Sequence, residues 1–265
     1  MNAEAGKAAL DAYKAAVKSD KRIQILQNAI ANGRGTYAIA NNLASRTGVH
    51  AGKAIAKHIV AEASEGTIEK ELAVAILQPT MVENYKTVSA AAGSVQRAIN
   101  RKAGLGLAPI IPEMNQDRID GLAEEIANAA DVGSLAQTLV SQIENASLSI
   151  LDDSVSDNMD FQYNAGRHPV IIRTAEAKCC EWCEALAGTY DYEDVKRGGS
   201  DVYRRHENCR CVVEFDPGVG TMVQNVHTRR MVDRSTVERR RADQARYEEN
   251  AQQRRQERRS RLGTA

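Results

Sequence analysis

The feature that most constrains this chain is the crowding of its thiols into one short stretch. All five cysteines and the only tryptophan fall within residues 179–211 of a 265-residue chain. Five cysteines cannot all pair with one another, and a reducing cytoplasm disfavours disulfides in any case. Clustered thiols in that setting favour metal binding, so this stretch is expected to fold around an ion.

The spacing of these residues suits zinc, which takes four tetrahedral nitrogen or sulfur ligands at roughly 2.0–2.3 Å. Cys180 and Cys183 form a CxxC pair, in which two intervening residues let both sulfurs point to one atom. The second pair comes from an HxxC or a CxC arrangement after a loop of 22 residues. The predicted ligands of this structural zinc ion are Cys180, Cys183, His206, Cys209 and Cys211.

A structural zinc ion would explain how so small a segment keeps its shape. The stretch has few large apolar residues, and a structural zinc site contributes on the order of 10 kcal/mol when folding and binding are coupled. We therefore expect the metal to act as the core of this module, with Trp182 packed over the site. The alternative is that these are reduced cysteines near a turn, without a metal.

Catalytic interpretations fit the pattern less well. A zinc deaminase places His-x-Glu before Pro-Cys-x-x-Cys, but here the CxxC comes first and no proline precedes it. Glu207 directly follows His206 in the sequence HEN, which is not the HExxH arrangement of metalloproteases. A nucleophilic Cys179 beside His206 is the other enzyme hypothesis, and the neighbouring metal-type thiols weigh against it. We expect no enzymatic activity.

Residues 1–103 are predicted to form a helical body. The whole chain has only two Phe, one Trp and eight Tyr, so a large core has to consist of Ala, Leu, Ile and Val. Apolar residues recur at helical spacings of three and four, as in the stretch 23–30. Pro79 is expected to end one helix, and the T-x-x-E capping box at 80–83 is expected to open the next.

Residues 104–159 are predicted to be a linker followed by a pair of helices. The run 104–112 is punctuated by Gly and Pro and has too many helix breakers to continue either neighbour. The first helix of the pair carries apolar residues at helical spacing. The second is expected to start at an S-x-x-Q box formed by Ser134 and Gln137.

Residues 160–218 are predicted to form the zinc-binding α+β module. Runs rich in β-branched or aromatic residues at 168–175, 189–192 and 209–215 indicate three short strands, and a turn closes the module. The expected fold class is therefore mainly α. A helical body is followed by a small zinc-stapled α+β module and by a basic helical or extended arm at residues 219–265.

The arm carries a net positive charge that is cancelled in the net charge of the whole chain. Lys and Arg balance Asp and Glu at 35 each, but residues 227–265 hold twelve Arg against six acidic residues. Such an arm could contact DNA phosphates without sequence preference. It could instead be a solvated helix with its own Glu/Arg pairs, or dock on a neighbouring protein. The residues predicted for DNA contact are Arg239, Arg240, Arg241, Arg254, Arg255, Arg258 and Arg259.

Two motifs of the module occur together, CEWCEALAG at 180–188 and HENCRC at 206–211. They resemble the minor head proteins of tailed bacteriophages, the Mu protein F-like group, in the version carried by phages and prophages of Gram-positive bacteria. That family shows a CxxC-x-x-L/A-x-G knuckle followed by H-x-N/Y-C-R-C. The chain departs from many members at Glu207, where they have proline, and in its doubled Cys179-Cys180. The resemblance assigns the metal to Cys180, Cys183, His206 and Cys209, with Cys211 as the substitute ligand.

The resemblance implies a structural protein present in few copies in the phage head, near the portal or the inner capsid surface. Its expected roles are head assembly, DNA packaging or genome delivery. Its expected partners are the portal protein, the major capsid or scaffold protein, and packaged double-stranded DNA. Synthesis in the host cytoplasm and the lack of a membrane partner fit a sequence without a signal peptide or an apolar run of about 20 residues.

Two hypotheses from other classes stand beside this one. The first is a zinc-dependent regulator in which the module and the arm together bind nucleic acid. The second is a zinc hydrolase, nuclease or toxin.

Overall fold

Long helices form most of this chain, and a small sheet follows them. The computed structural model describes residues 2–177, 179–198, 201–206 and 208–218. Within these residues the helices are α1 (Asn2–Ser19), α2 (Lys21–Ala29), α3 (Tyr37–Glu62), α4 (Lys70–Lys102), α5 (Gln116–Ala127), α6 (Val132–Asn164), α7 (Glu181–Ala185) and α8 (Tyr192–Gly198). The strands are β1 (Val170–Thr174), β2 (Gly188–Asp191) and β3 (Val212–Asp216). The prediction of a mainly helical fold with a small strand-containing part is confirmed.

Helix α4 runs unbroken through Pro79, so the predicted helix break and the capping box at 80–83 are wrong. The proline leaves the carbonyl oxygen of Ala75 without its helical hydrogen bond. Helix α1 packs at this point, because a Cβ atom on Gly6 would lie 2.1 Å from that oxygen. Thr80 is buried inside the helix instead of capping it. Burial of the apolar face on both sides of the proline, and not local capping, keeps α4 continuous.

Helix α6 begins and ends at other residues than the sequence predicts. The side chain of Asp131 accepts hydrogen bonds from two backbone N–H groups of the first turn, so Asp131 caps the helix instead of Ser134. The helix then continues to Asn164 and crosses the predicted module boundary at 159–160. Its last turns remain partly buried, with Met159 in one apolar cluster with residues of α3 and α4, and β1 begins only after it.

Helices α3 and α6 approach each other closely at two glycines of α3. A Cβ atom on Gly48 would lie 2.6 Å from Oγ of Ser147, and one on Gly52 would lie 2.8 Å from Cα of Val140. The two glycines are one helical turn apart, so both face α6. The absence of side chains at these positions lets the helix backbones come together. The resulting pair supports the sheet and the thiol cluster.

Strand β1 is the centre of a sheet with the order β2–β1–β3 and is antiparallel to both neighbours. Ile171 of β1 lies opposite Tyr190 of β2 and Phe215 of β3. Ile171 and Phe215 are buried in one cluster with helical residues, and the ring centroids of Phe215 and Tyr37 of α3 are 6.2 Å apart. The expectation that the metal forms the core of this module is therefore wrong, because the sheet shares an apolar core with the helices.

The end of β3 is tied back to the end of α6. Arg167 follows α6, is 4% exposed, and donates from Nε to the carbonyl oxygen of Pro217 at 3.0 Å. A second guanidinium nitrogen donates to the carbonyl oxygen of Gly218. The carboxylate of Asp216 accepts from the N–H of Gly218 and closes the predicted turn. The predicted arm at 219–265, with all of its arginines, lies outside the described residues.

The close approach of α1 to α4 predicts opposite effects for two glycine substitutions. Gly6→Ala should lower the free energy of unfolding by about 1–3 kcal/mol, because its Cβ would collide with a backbone oxygen. Gly121→Ala is the matched control, since Gly121 is exposed on α5 and a Cβ there meets nothing within 4 Å. It should raise that free energy by up to about 1 kcal/mol through helix propensity. Urea unfolding followed by circular dichroism measures both, and equal effects would refute the close contact.

Candidate metal centre

The antiparallel pairing of β1 with β3 brings the two thiol-bearing segments together. Strand β1 ends at Thr174, opposite Val212 at the start of β3. After β1 the chain enters α7, which has Cys180 at its N-cap position and Cys183 in its middle. The other predicted ligands, His206, Cys209 and Cys211, lie between the 3₁₀ turn Asp201–Tyr203 and β3. The two segments therefore meet at the same end of the sheet.

The five predicted ligands converge in space. The Nε2 atom of His206 lies 3.2 Å from Sγ of Cys180 and 3.0 Å from Sγ of Cys183, and the Sγ atoms of Cys183 and Cys209 are 3.6 Å apart. Ligand atoms of one tetrahedral zinc ion are separated by about 3.5–3.8 Å. The donor atoms form two groups of three, each within 4.8 Å, that share Cys183. The groups are Cys180–Cys183–His206 and Cys183–Cys209–Cys211. This cluster could hold a metal ion.

The cluster has a buried side and a solvent side. Cys183, Cys209 and Cys211 are buried, whereas Cys180 is exposed. Trp182 packs edge-on against His206 with the ring centroids 5.7 Å apart, as expected for a residue that covers the site. Trp182 is itself 39% exposed, so it shields the imidazole from one side only. A small ion could thus reach the cluster from the side of Cys180.

Burial changes the acidity of the central thiol. Desolvation, together with hydrogen bonds to the thiols of Cys211 and Cys209, raises the pKa of Cys183 far above the ordinary value. Burial disfavours the charged thiolate, so Cys183 holds its proton until a cation replaces it. Metals bind thiolates and release these protons. Metal binding at this cluster should therefore compete with protons.

Cys179 lies outside both groups of donor atoms. It is half-buried and packs against the buried cysteines through its side chain. Of the doubled Cys179-Cys180 pair, only Cys180 thus brings its sulfur to His206. A structural explanation is that Cys180 occupies the N-cap of α7, from which its side chain points at the returning segment.

A buried ion pair fixes the returning segment to α6. Arg205 and Asp152 are 6% and 5% exposed in their side chains, and the guanidinium contacts both carboxylate oxygens. Arg205 also donates to the carbonyl oxygen of Cys211 at 2.8 Å. Two parallel hydrogen bonds to a carboxylate define both distance and orientation. The backbone next to the ligands is therefore held in place from the helical side.

A second ion pair lies about two helical turns away from Asp152, towards the start of α6. Arg210 donates from Nε to the carboxylate of Glu144 at 2.8 Å, and Ser45 of α3 donates to the same carboxylate. The amide of Asn41 donates to the carbonyl oxygen of Arg210, and the amide of Asn145 donates to that of His206. Side chains of α3 and α6 thus hold the ligand-bearing backbone at several points.

Sequence reasoning predicted the five residues that the cluster brings together but missed the residues that position them. A signal for these residues was present in the sequence. Glu144 and Asp152 are eight positions apart, which places two acidic groups on one face of a helix. Arg205 and Arg210 flank the HENC stretch and carry the opposite charge.

No protein-family model, curated protein or solved structure matches this chain. Among the described residues, no helix combines the length and the apolar character that crossing a bilayer requires.

The buried ion pair predicts a large effect for a small chemical change. Asp152→Asn leaves the guanidinium of Arg205 buried without its anion and should lower the free energy of unfolding by about 3–5 kcal/mol. The control is Asp160→Asn, which removes the same charge from the exposed pair of Asp160 and Lys196. That change should lower the free energy by less than about 1 kcal/mol. Both are measured by denaturant unfolding, and similar losses would contradict the importance of the buried pair.

Proposed function

We propose that the cluster binds one structural zinc ion. The proposed ligands are those that the motif resemblance assigns, Cys180, Cys183, His206 and Cys209, with Cys211 as the substitute for Cys209. The observation that carries this proposal is the position of the His206 imidazole, with Nε2 at 3.0–3.2 Å from the thiols of Cys180 and Cys183. Thiolate and imidazole donors in a four-ligand set favour zinc over harder cations.

A structural role fits these side chains better than a catalytic one. A catalytic zinc ion keeps one coordination position open for water. Here five donor atoms are available for four positions, and three of them belong to buried cysteines. Among the residues that the structure describes, the two groups of donors consist of Cys and His alone and include no carboxylate that could move a proton. The chain's residues are thus suited to close the coordination shell.

The zinc ion would supply a cross-link between two distant segments. On one side, Cys180 is the N-cap of α7 and Cys183 lies within α7, in the segment that connects β1 with β2. On the other side, the segment around His206 is held on α6 by Arg205 and by Asn145. The side chains of the ligands therefore connect the edge of the sheet to the helical body. The shared apolar core provides the rest of the attachment.

We further propose that the chain is a structural component of a tailed-bacteriophage head, near the portal or the inner capsid surface. The knuckle and the HENCRC motif support this by their resemblance to minor head proteins, and the geometry of the cluster agrees with a stapling role for them. The mainly helical body offers surfaces for portal, capsid or scaffold proteins. The Arg-rich arm has the charge for non-specific contact with packaged DNA.

Metal analysis tests the zinc site. Purified protein should contain about one zinc ion per chain, and Cys183→Ser should abolish zinc binding because Cys183 belongs to both donor groups. Cys179→Ser is the matched control and should keep its zinc, since Cys179 lies in neither group. Atomic emission spectrometry gives the metal content, and thermal unfolding with and without a chelator gives the stabilisation. Native protein free of metal, or equal losses in both variants, would refute the site.

Location in the particle tests the role in the phage head. We expect the protein to co-purify with assembled heads and to cross-link to the portal or an inner capsid protein. A gel-shift assay at physiological salt separates this from the regulator hypothesis, because a head protein should bind DNA weakly and without sequence preference. Tight, sequence-selective binding together with absence from purified heads would favour the regulator.

A further inference from the structure

The most deeply buried charged side chain at the cluster is Arg173 of β1, which is 2% exposed. One of its guanidinium nitrogens donates to the carbonyl oxygens of Val202 and Arg204, at 2.5 and 2.9 Å. Another lies 3.8 Å from the sulfurs of both Cys183 and Cys209. The guanidinium carbon is 5.6 Å from the ring centroid of Trp182. Arg173 thus contacts both thiol-bearing segments.

Arg173 differs from the other arginines of the site in what balances its charge. Arg205 and Arg210 each form an ion pair with a carboxylate. Within the described residues, no carboxylate lies within ion-pair distance of Arg173, and its Nε–H is buried without a hydrogen-bond partner. A buried guanidinium is always protonated in proteins and is strongly unfavourable without a nearby negative charge. The atoms placed to carry that charge are the sulfurs of Cys183 and Cys209.

From this geometry we infer that Arg173 is the counter-charge of the metal centre and positions two of its thiolate ligands. The inference rests on the proposed zinc site and deepens it. A zinc ion with three thiolates and one neutral imidazole carries a net charge of minus one, which a single guanidinium neutralises. Four thiolates would leave one negative charge unbalanced in the buried site. The charge of Arg173 therefore favours a set of three cysteines and His206, and its contact with the Cys209 sulfur makes Cys209 the third cysteine beside Cys180 and Cys183.

The experiment is a double-variant cycle that changes the charge of the ligand set. Arg173→Met removes the cation while keeping an elongated apolar side chain, and should weaken zinc binding roughly 10- to 100-fold, as loss of an outer-shell partner does. Cys180→His replaces one thiolate by a neutral ligand at the exposed position of the cluster. In that background the metal centre is already neutral, so adding Arg173→Met should change the affinity by less than about threefold if the two charges are coupled. Zinc affinities are measured by competition with a chromophoric chelator.

Cobalt substitution tests the charge of the ligand set, because the spectrum reports how many thiolates bind the metal. The sulfur-to-cobalt charge-transfer band should have the intensity of three thiolates in the native protein and of two in Cys180→His. Arg173→Lys, which keeps the charge but not the fork of donors, should retain the three-thiolate spectrum and bind zinc more tightly than Arg173→Met. A native spectrum of four thiolates would overturn the proposed ligand set.

Each outcome of the cycle decides for or against the counter-charge. Equal losses from Arg173→Met in both backgrounds, or no loss in either, would overturn it. If Arg173→Met alone gives no folded protein, recovery of folded, zinc-loaded protein in the double variant supports the inference. Failure of the double variant and of Arg173→Lys alike assigns Arg173 a purely geometric role and overturns it. Failure of the zinc site itself is distinguishable, because the native protein would then bind no zinc.

Discussion

The buried ion pair between Arg205 and Asp152 connects the two halves of this structure. A charged pair with side-chain exposures of 6% and 5% does not add much net stability by itself, because desolvation offsets much of its Coulomb attraction. Its geometry is nevertheless restrictive, since the guanidinium contacts both carboxylate oxygens and also a backbone carbonyl near the cysteines. The segment that carries His206, Cys209 and Cys211 is therefore positioned by α6 without the help of a metal ion. The cluster lies where the sheet packs on α6, so it differs from an isolated zinc finger.

This arrangement changes what a metal ion would contribute. In an isolated zinc finger the ion replaces a core, and the chain is unfolded without it. Here the inner face of the sheet is already buried against the helices, through residues such as Ile171 and Phe215. Loss of the proposed metal ion would therefore loosen α7 and the segment around His206 more than the helical body. The proposed metal ion and the apolar core would therefore stabilise different parts of the same module.

Local signals in the sequence predicted the three strands and the CxxC and HxxC pairs, because each of these depends on residues close together in the chain. They failed where tertiary contacts decide. Pro79 would end an isolated helix, but burial of α4 on both sides and the backbone of Gly6 against Ala75 keep it continuous. The shared core was missed for the same reason, since nothing in the strands themselves shows which surface will cover them. The proposed role of Arg173 could not be predicted from the sequence. It depends on the sulfurs that the fold places near the guanidinium, and on the lack of a carboxylate within ion-pair distance among the described residues.

The hydrogen bonds from Arg167 to Pro217 and Gly218 have a mechanical consequence. The chain leaves the described sheet through Pro217 and Gly218, whose carbonyl oxygens accept from the Arg167 guanidinium just beyond α6. Because Asp216 at the end of β3 pairs with Val170 at the start of β1, tension on the chain beyond Gly218 would load the hydrogen bonds of Arg167 before it reached the ladder between β1 and β3. These hydrogen bonds would pass the load to the end of α6. A protein whose following segment is under tension would gain from such an anchorage.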